Sequence, residues 1–192
     1  MRKRIIRKVG VGELRRKSEL SRKTRRDKPA LRDDGIYALA VRFCLYRERC
    51  SSEIRAKLYR LGADPATTEK YLSYLKEEGY YDDARYCREF AYGKLRSRAW
   101  GKEKIRLELQ SRFLDERDIE AALDALEPDL YEKQIKKLAR QKFRALLPSL
   151  DRRRLVFRYL RSRGFSAEEI RRAVDWRSLE SEPSPPSDRN AT

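Results

Sequence analysis

The sequence of 192 residues predicts an all-α protein, a tandem array of three three-helix repeats with a period of about 51 residues, elongated and curved. Three observations predict it. Apolar positions recur at that interval: Ile54, Ile105 and Val156; Leu58, Leu109 and Leu160; Leu72, Leu123 and Val174. So do Ile36, Cys87 and Leu138, then Val41, Tyr92 and Phe143, then Cys44, Leu95 and Leu146. Within a repeat the apolar residues keep helical spacing, as Ile105 with Leu109 and Ile119 with Leu123 do, and no window alternates as a strand would. Finally, 41% of residues are charged against 40% apolar. A thick globule exposes less charge than this, whereas a slender stack of units with small cores accommodates it.

Residues 1–28 carry a net charge of +10 and little periodicity, which predicts a basic flexible arm. Residues 29–79 form the first repeat. Its second helix ends at Gly62, which can take the left-handed conformation, and its third starts at Asp64-Pro65, a cap followed by proline in the first turn. Gly79 closes that helix, and Tyr80 and Tyr81 are expected to seal the corner into the next repeat, where Asp82 caps and Asp83 lies in an acid-favouring first turn. Residues 80–130 form the second repeat. Phe113 stands where Gly62 and Gly164 stand in the other two, so its corner is expected to be made differently. Residues 131–177 form a third, basic repeat of net charge +10, with Ser166 and Glu169 spaced as a capping box. Residues 178–192, Pro- and Ser-rich, are expected to be a flexible tail.

The composition excludes much chemistry. Histidine is absent, which removes His-based triads, bases and metal sites. Cys44, Cys50 and Cys87 show no paired spacing, and so few suit buried thiols in a reducing cytoplasm. There is no Gly-rich phosphate loop, metal-ligand cluster or activated nucleophile. Asp82 and Asp83 are adjacent, so on a helix they diverge by about 100°. The expectation is a monomer without enzyme activity, cofactor or metal. No apolar run reaches the roughly 18 residues a membrane span needs.

The net charge of +17 points instead to an acidic partner. Lys133, Lys137, Arg140 and Arg144 fall on one helical face, opposite Ile135, Leu138, Ala139, Phe143 and Leu146. Arg154, Arg158 and Arg161 repeat the spacing in the next helix, beside Arg152 and Arg153. Like charges at helical spacing repel by a few tenths of a kcal/mol per pair, so stripes nearly free of acid suggest a surface for phosphate backbones or an acidic groove. No helix offers a set of base-reading side chains, so recognition is expected to be independent of sequence. Tyr71, Tyr74, Tyr80, Tyr81, Tyr86 and Tyr92 are read chiefly as core residues, and Trp100 as the anchor of a helix start.

The string EGYYDDARYCREFAYGKLRSRAWGKEKIRLELQSR (Glu78–Arg112) resembles the hallmark region of the RecX family of bacterial recombination regulators. The likeness rests on Gly79, Tyr80, Asp82, Asp83, Arg85 and Tyr86, then Gly101, Lys102, Lys104, Ile105, Glu108 and Leu109. Arg47–Gly62 adds to it, and the likeness covers roughly residues 34–177. Tyr81 and Phe113 depart from the family pattern, and the basic arm is no part of it. From the residues themselves, Gly79, Tyr80, Asp82, Asp83 and Arg85, with Gly101 and Lys102, are read as a structural hinge rather than a binding site. The resemblance implies tandem three-helix units and a regulatory protein that binds the RecA recombinase filament on single- or double-stranded DNA. It further implies inhibition of ATPase and strand exchange, with consequences for DNA repair, recombination and the SOS response. The charge alone leaves another class open, a non-specific architectural DNA-binding or transcription protein.

Overall fold

The computed structural model describes residues 35–147 and 149–181. The expected arm over residues 1–28 lies outside the described residues. All regular structure among the described residues is α-helical, and the chain divides into two compact units between Asp82 and Asp83.

The first unit holds α1 (Gly35–Tyr46), α2 (Ser51–Arg60) and α3 (Pro65–Glu77). Ala40, Cys44, Ile54, Leu58, Leu72 and Leu75 pack together with Tyr37, Tyr71 and Tyr81. The Tyr37 ring meets Tyr71 edge-on at 5.3 Å, and its hydroxyl donates to Glu78 at 3.3 Å. Gly79 does end α3 in the left-handed region, at φ +75. Its N–H donates to the Lys76 carbonyl and that of Tyr80 to the Leu75 carbonyl, both at 2.9 Å, so two orphan carbonyls are satisfied. Tyr81 is 6% exposed and Tyr80 packs on the same core, so both tyrosines belong to the core of the first unit.

The second unit holds α4 (Asp83–Arg98), α5 (Lys102–Gln110), α6 (Glu116–Asp124), α7 (Pro128–Arg144), α8 (Arg152–Ser162), α9 (Ala167–Ala173) and α10 (Trp176–Ser181). The tail expected from Ser178 is therefore helical over its first residues, and Leu179 is buried; residues 182–192 lie outside the described residues. The 51-residue register is visible in the backbone. The helices α3, α6 and α9 begin at Pro65, Glu116 and Ala167, behind the caps Asp64, Asp115 and Ser166. Ser166 and Glu169 form the full capping box, with bonds of 3.1 and 2.7 Å. The ion pair of Arg55 with Glu69 recurs one repeat later as Arg106 with Glu120.

The corner before α6 corrects an expectation. It is made as the others are, with Phe113 itself at φ +57 beside Gly62 at +91 and Gly164 at +90. The Phe113 N–H donates to Gln110 at 2.8 Å, as Gly62 does to Tyr59 and Gly164 to Arg161. Tyr92 also departs from its periodic series: it is exposed, with the Arg96 guanidinium 5.4 Å from its ring. A tyrosine tolerates this because its hydroxyl stays hydrated. Tyr71 and Tyr86 are buried as expected, and Tyr74 is partly so.

Gly101 and Lys102 are not a hinge. They form a seam between the second and third repeats. A Cβ on Gly101 would collide with the Gly164 carbonyl, and one on Gly164 would collide with Lys104. The glycines let the end of α8 meet the start of α5: the Gly101 N–H donates to the Arg163 carbonyl at 2.8 Å and that of Glu103 to Gly164 at 3.1 Å. The negative end of one helix dipole thus faces the positive end of another. The Lys102 N–H donates to the Tyr131 hydroxyl at 2.9 Å, which donates to Glu169 at 3.1 Å. Burial and the Glu169 carboxylate raise the Tyr131 pKa, keeping this hydroxyl protonated.

Candidate nucleic-acid interface

Helix α7 begins with Pro128, pre-set for a first turn. Its apolar face buries Tyr131, Ile135, Leu138, Ala139 and Phe143, as the periodicity requires. Lys133, Lys137, Arg140 and Arg144 therefore stand exposed on the opposite side. The stripe is less free of acid than expected, because Asp129 and Glu132 line the same shallow concavity. Glu132 pairs with Lys136, which lowers its carboxyl pKa, and Arg172 adds to the effect. The flank is nonetheless predominantly cationic, and Lys133 and Lys137 form no ion pair among the described residues.

The arginines of α8 separate into two groups. Three of them are engaged by protein groups. Arg152 donates to the Phe143 carbonyl at 2.8 Å and lays its guanidinium 3.8 Å from that ring, tying α8 to α7. Arg153 pairs through two bonds with Glu180 of α10, which raises its own pKa and lowers that of Glu180. Arg161 pairs with Glu103 at 2.9 Å and donates to the Phe165 carbonyl at 2.9 Å, so it belongs to the seam. Helical spacing could not show this, because the partners lie on other helices. Arg154 and Arg158 remain exposed. Arg154 is 79% exposed at the side chain with Asp151 at 3.8 Å, a weak pair.

Arg171 was missed. Its position in α9 corresponds to Glu69 and Glu120, the carboxylates of the recurring ion pair, and Phe157 stands where Arg55 and Arg106 do. The third repeat has thus replaced an acid with an exposed arginine. Alignment of the repeats position by position carries that signal.

The hallmark residues Asp82, Asp83 and Arg85 are half-buried at the unit boundary. No group of His, Cys, Asp and Glu among the described residues is placed to hold a metal. The three thiols are buried and unpaired with one another, and burial pushes Cys44 up to about 12, keeping it protonated. No helix among the described residues is long and apolar enough to cross a membrane.

The family profile described as "RecX, second three-helix domain" matches residues 82–123. A "Regulatory protein RecX" of Pseudomonas fluorescens is 36% identical over 135 residues, covering 70% of this chain and 86% of that protein. One from Chromohalobacter salexigens is 34% identical over 145 residues, covering 74% and 90%. A crystal structure of regulatory protein RecX superposes with a TM-score of 0.67 at 26% identity, covering 72% of this chain and 70% of the other. That of RecX from Lactobacillus salivarius gives 0.68 at 19% identity, covering 76% and 94%, a likeness of fold.

Proposed function

The chain belongs to the RecX family of regulatory proteins, and from that membership we propose that it binds the RecA recombinase on DNA and inhibits its ATPase and strand exchange. The observation that carries the reading is the cationic face of α7, whose four predicted cations are exposed and whose opposite face is core. Such a face binds phosphates or acidic side chains through charge, adding salt-dependent affinity without reading bases. Arg154, Arg158 and Arg171 extend the cationic surface of the third repeat. The first two repeats, nearly neutral and rich in tyrosine, supply the more selective protein contacts. In this reading the protein acts as a monomer in the cytoplasm, and no catalytic step is assigned to it. By bridging neighbouring recombinase protomers it restricts the motions that accompany turnover.

The test is recombinase ATPase on single-stranded DNA, with DNA in large excess over any direct binding by this protein. Inhibition at protein levels well below the number of DNA sites is expected. Inhibition that only tracks occupancy of DNA would overturn filament action and leave a general DNA-binding protein.

A further inference from the structure

One cluster in the second repeat is used by nothing described so far. Trp100 precedes the start of α5, and two ammonium groups lie against its ring: Lys94 at 5.1 Å and Lys104 at 4.8 Å. Lys94 also lies 4.9 Å from Phe90, whose ring takes the Arg112 guanidinium at 4.8 Å. A row of alternating rings and cations results. Neither Lys94 nor Lys104 forms an ion pair among the described residues, whereas their neighbours do: Lys102 pairs with Asp124, and Arg106 with Glu120.

Comparison with the first repeat shows what has changed. The positions of Lys94 and Trp100 are those of Phe43 and Arg49, 51 residues earlier. There too a cation sits on a ring, at 3.8 Å, with the roles exchanged. The position of Lys104 is that of Glu53, which neutralises Arg49 at 3.7 Å. The same frame thus holds one cation and one carboxylate in the first repeat but two cations in the second. Lys104 also lies in the first turn of α5, where the helix dipole favours an acid. The first amides of α5 are already satisfied across the seam, so the helix end itself is not the attraction. Two unneutralised ammonium groups gathered at one ring, against local electrostatics, are complementary to phosphate. A lysine that swings off the ring to a phosphate leaves an indole face on which an unpaired base of a single strand can stack.

We propose that Lys94, Trp100 and Lys104 form a subsite for the phosphodiester backbone of a single-stranded nucleic acid. Both ammonium groups are about 5 Å from one ring centroid, so they lie within about 10 Å of each other. Neighbouring phosphates of one strand can bridge that interval. The subsite acts without the recombinase.

The chain has two tryptophans, so Trp176→Phe leaves Trp100 as the sole indole reporter. Titration of that variant with a thymidine oligonucleotide should change Trp100 emission. Lys94→Gln with Lys104→Gln, which keeps most of each side chain, should weaken binding about tenfold and reduce the log–log salt slope by about 1.4, two phosphate contacts on a single strand. Lys94→Arg with Lys104→Arg should restore binding. Unchanged emission while a labelled strand binds, or unchanged affinity in the glutamine pair with intact helical circular dichroism, would overturn the proposal. An equal response to duplex of the same charge, or to poly-glutamate, would overturn the single-strand assignment. Strand binding with no recombinase inhibition would remove the function proposed above and leave the subsite standing.

Discussion

Phe113 holds a backbone conformation that glycine adopts at its two counterparts, at φ +57 and with the residue 89% exposed. A left-handed conformation costs a residue with a Cβ about 1–2 kcal/mol, and here little burial offsets it. Phe113→Gly should therefore stabilise the protein by about 0.5–1 kcal/mol, after allowance for the extra freedom of glycine in the unfolded chain; the urea midpoint measures it. Gly101 presents the opposite case. Its Cβ would meet the backbone of Gly164, which cannot yield as a flexible side chain can. Gly101→Ala should cost about 2 kcal/mol or more, as overpacking does, read from the same midpoint. At the Arg106–Glu120 pair, two bonds of 2.6 and 2.8 Å hold Glu120 below its ordinary pKa. With Glu120 43% exposed, screening keeps the pair at about 1 kcal/mol or less. That contribution is fully present above the ordinary glutamate pKa of about 4.3 and is lost as pH falls through the lowered value. The stability gap between the native chain and Glu120→Gln should therefore be present near neutral pH and close in strong acid.

At the scale of elements, the short helix α9 depends on its start. It has seven residues, too few to persist alone, and both bonds of its capping box satisfy amides that would otherwise be orphaned. Ser166→Ala should cost about 1 kcal/mol and weaken the seam as well, because Glu169 also accepts from Tyr131. Loss of hydrogen-exchange protection at the start of α5 would report that coupling. Helix α7 is built the other way, with a long buried face that makes its cations dispensable for folding. Charge reversal at Lys133 and Lys137 should leave the melting temperature nearly unchanged, weaken binding to the recombinase–DNA complex about tenfold or more, and flatten its salt dependence. Unaltered binding would remove this face from the interface.

At the scale of the whole molecule, the seam at Gly101 and Gly164 joins the second and third repeats inside one compact unit, while the first repeat forms a unit by itself. Residues 83–192 expressed alone should keep their helical circular dichroism and melt in one cooperative transition. Two separated transitions would show that the seam does not couple the repeats. Much of this architecture was legible in advance. The 51-residue period found the core positions at Ile54, Ile105 and Val156, turn chemistry found the caps at Asp64 and Ser166, and helical spacing found the exposed stripe of α7, because each depends on spacing along the chain or on the chemistry of one turn. What spacing alone left open was partnership. Only the tertiary structure decided that Arg152, Arg153 and Arg161 bind protein groups, that Gly101 packs rather than bends, that Phe113 adopts a glycine's backbone, and that Lys94 and Lys104 meet at one tryptophan. The reason is physical: a helix's period fixes which way a side chain points, but the charge, backbone or ring it meets there comes from a segment tens of residues away.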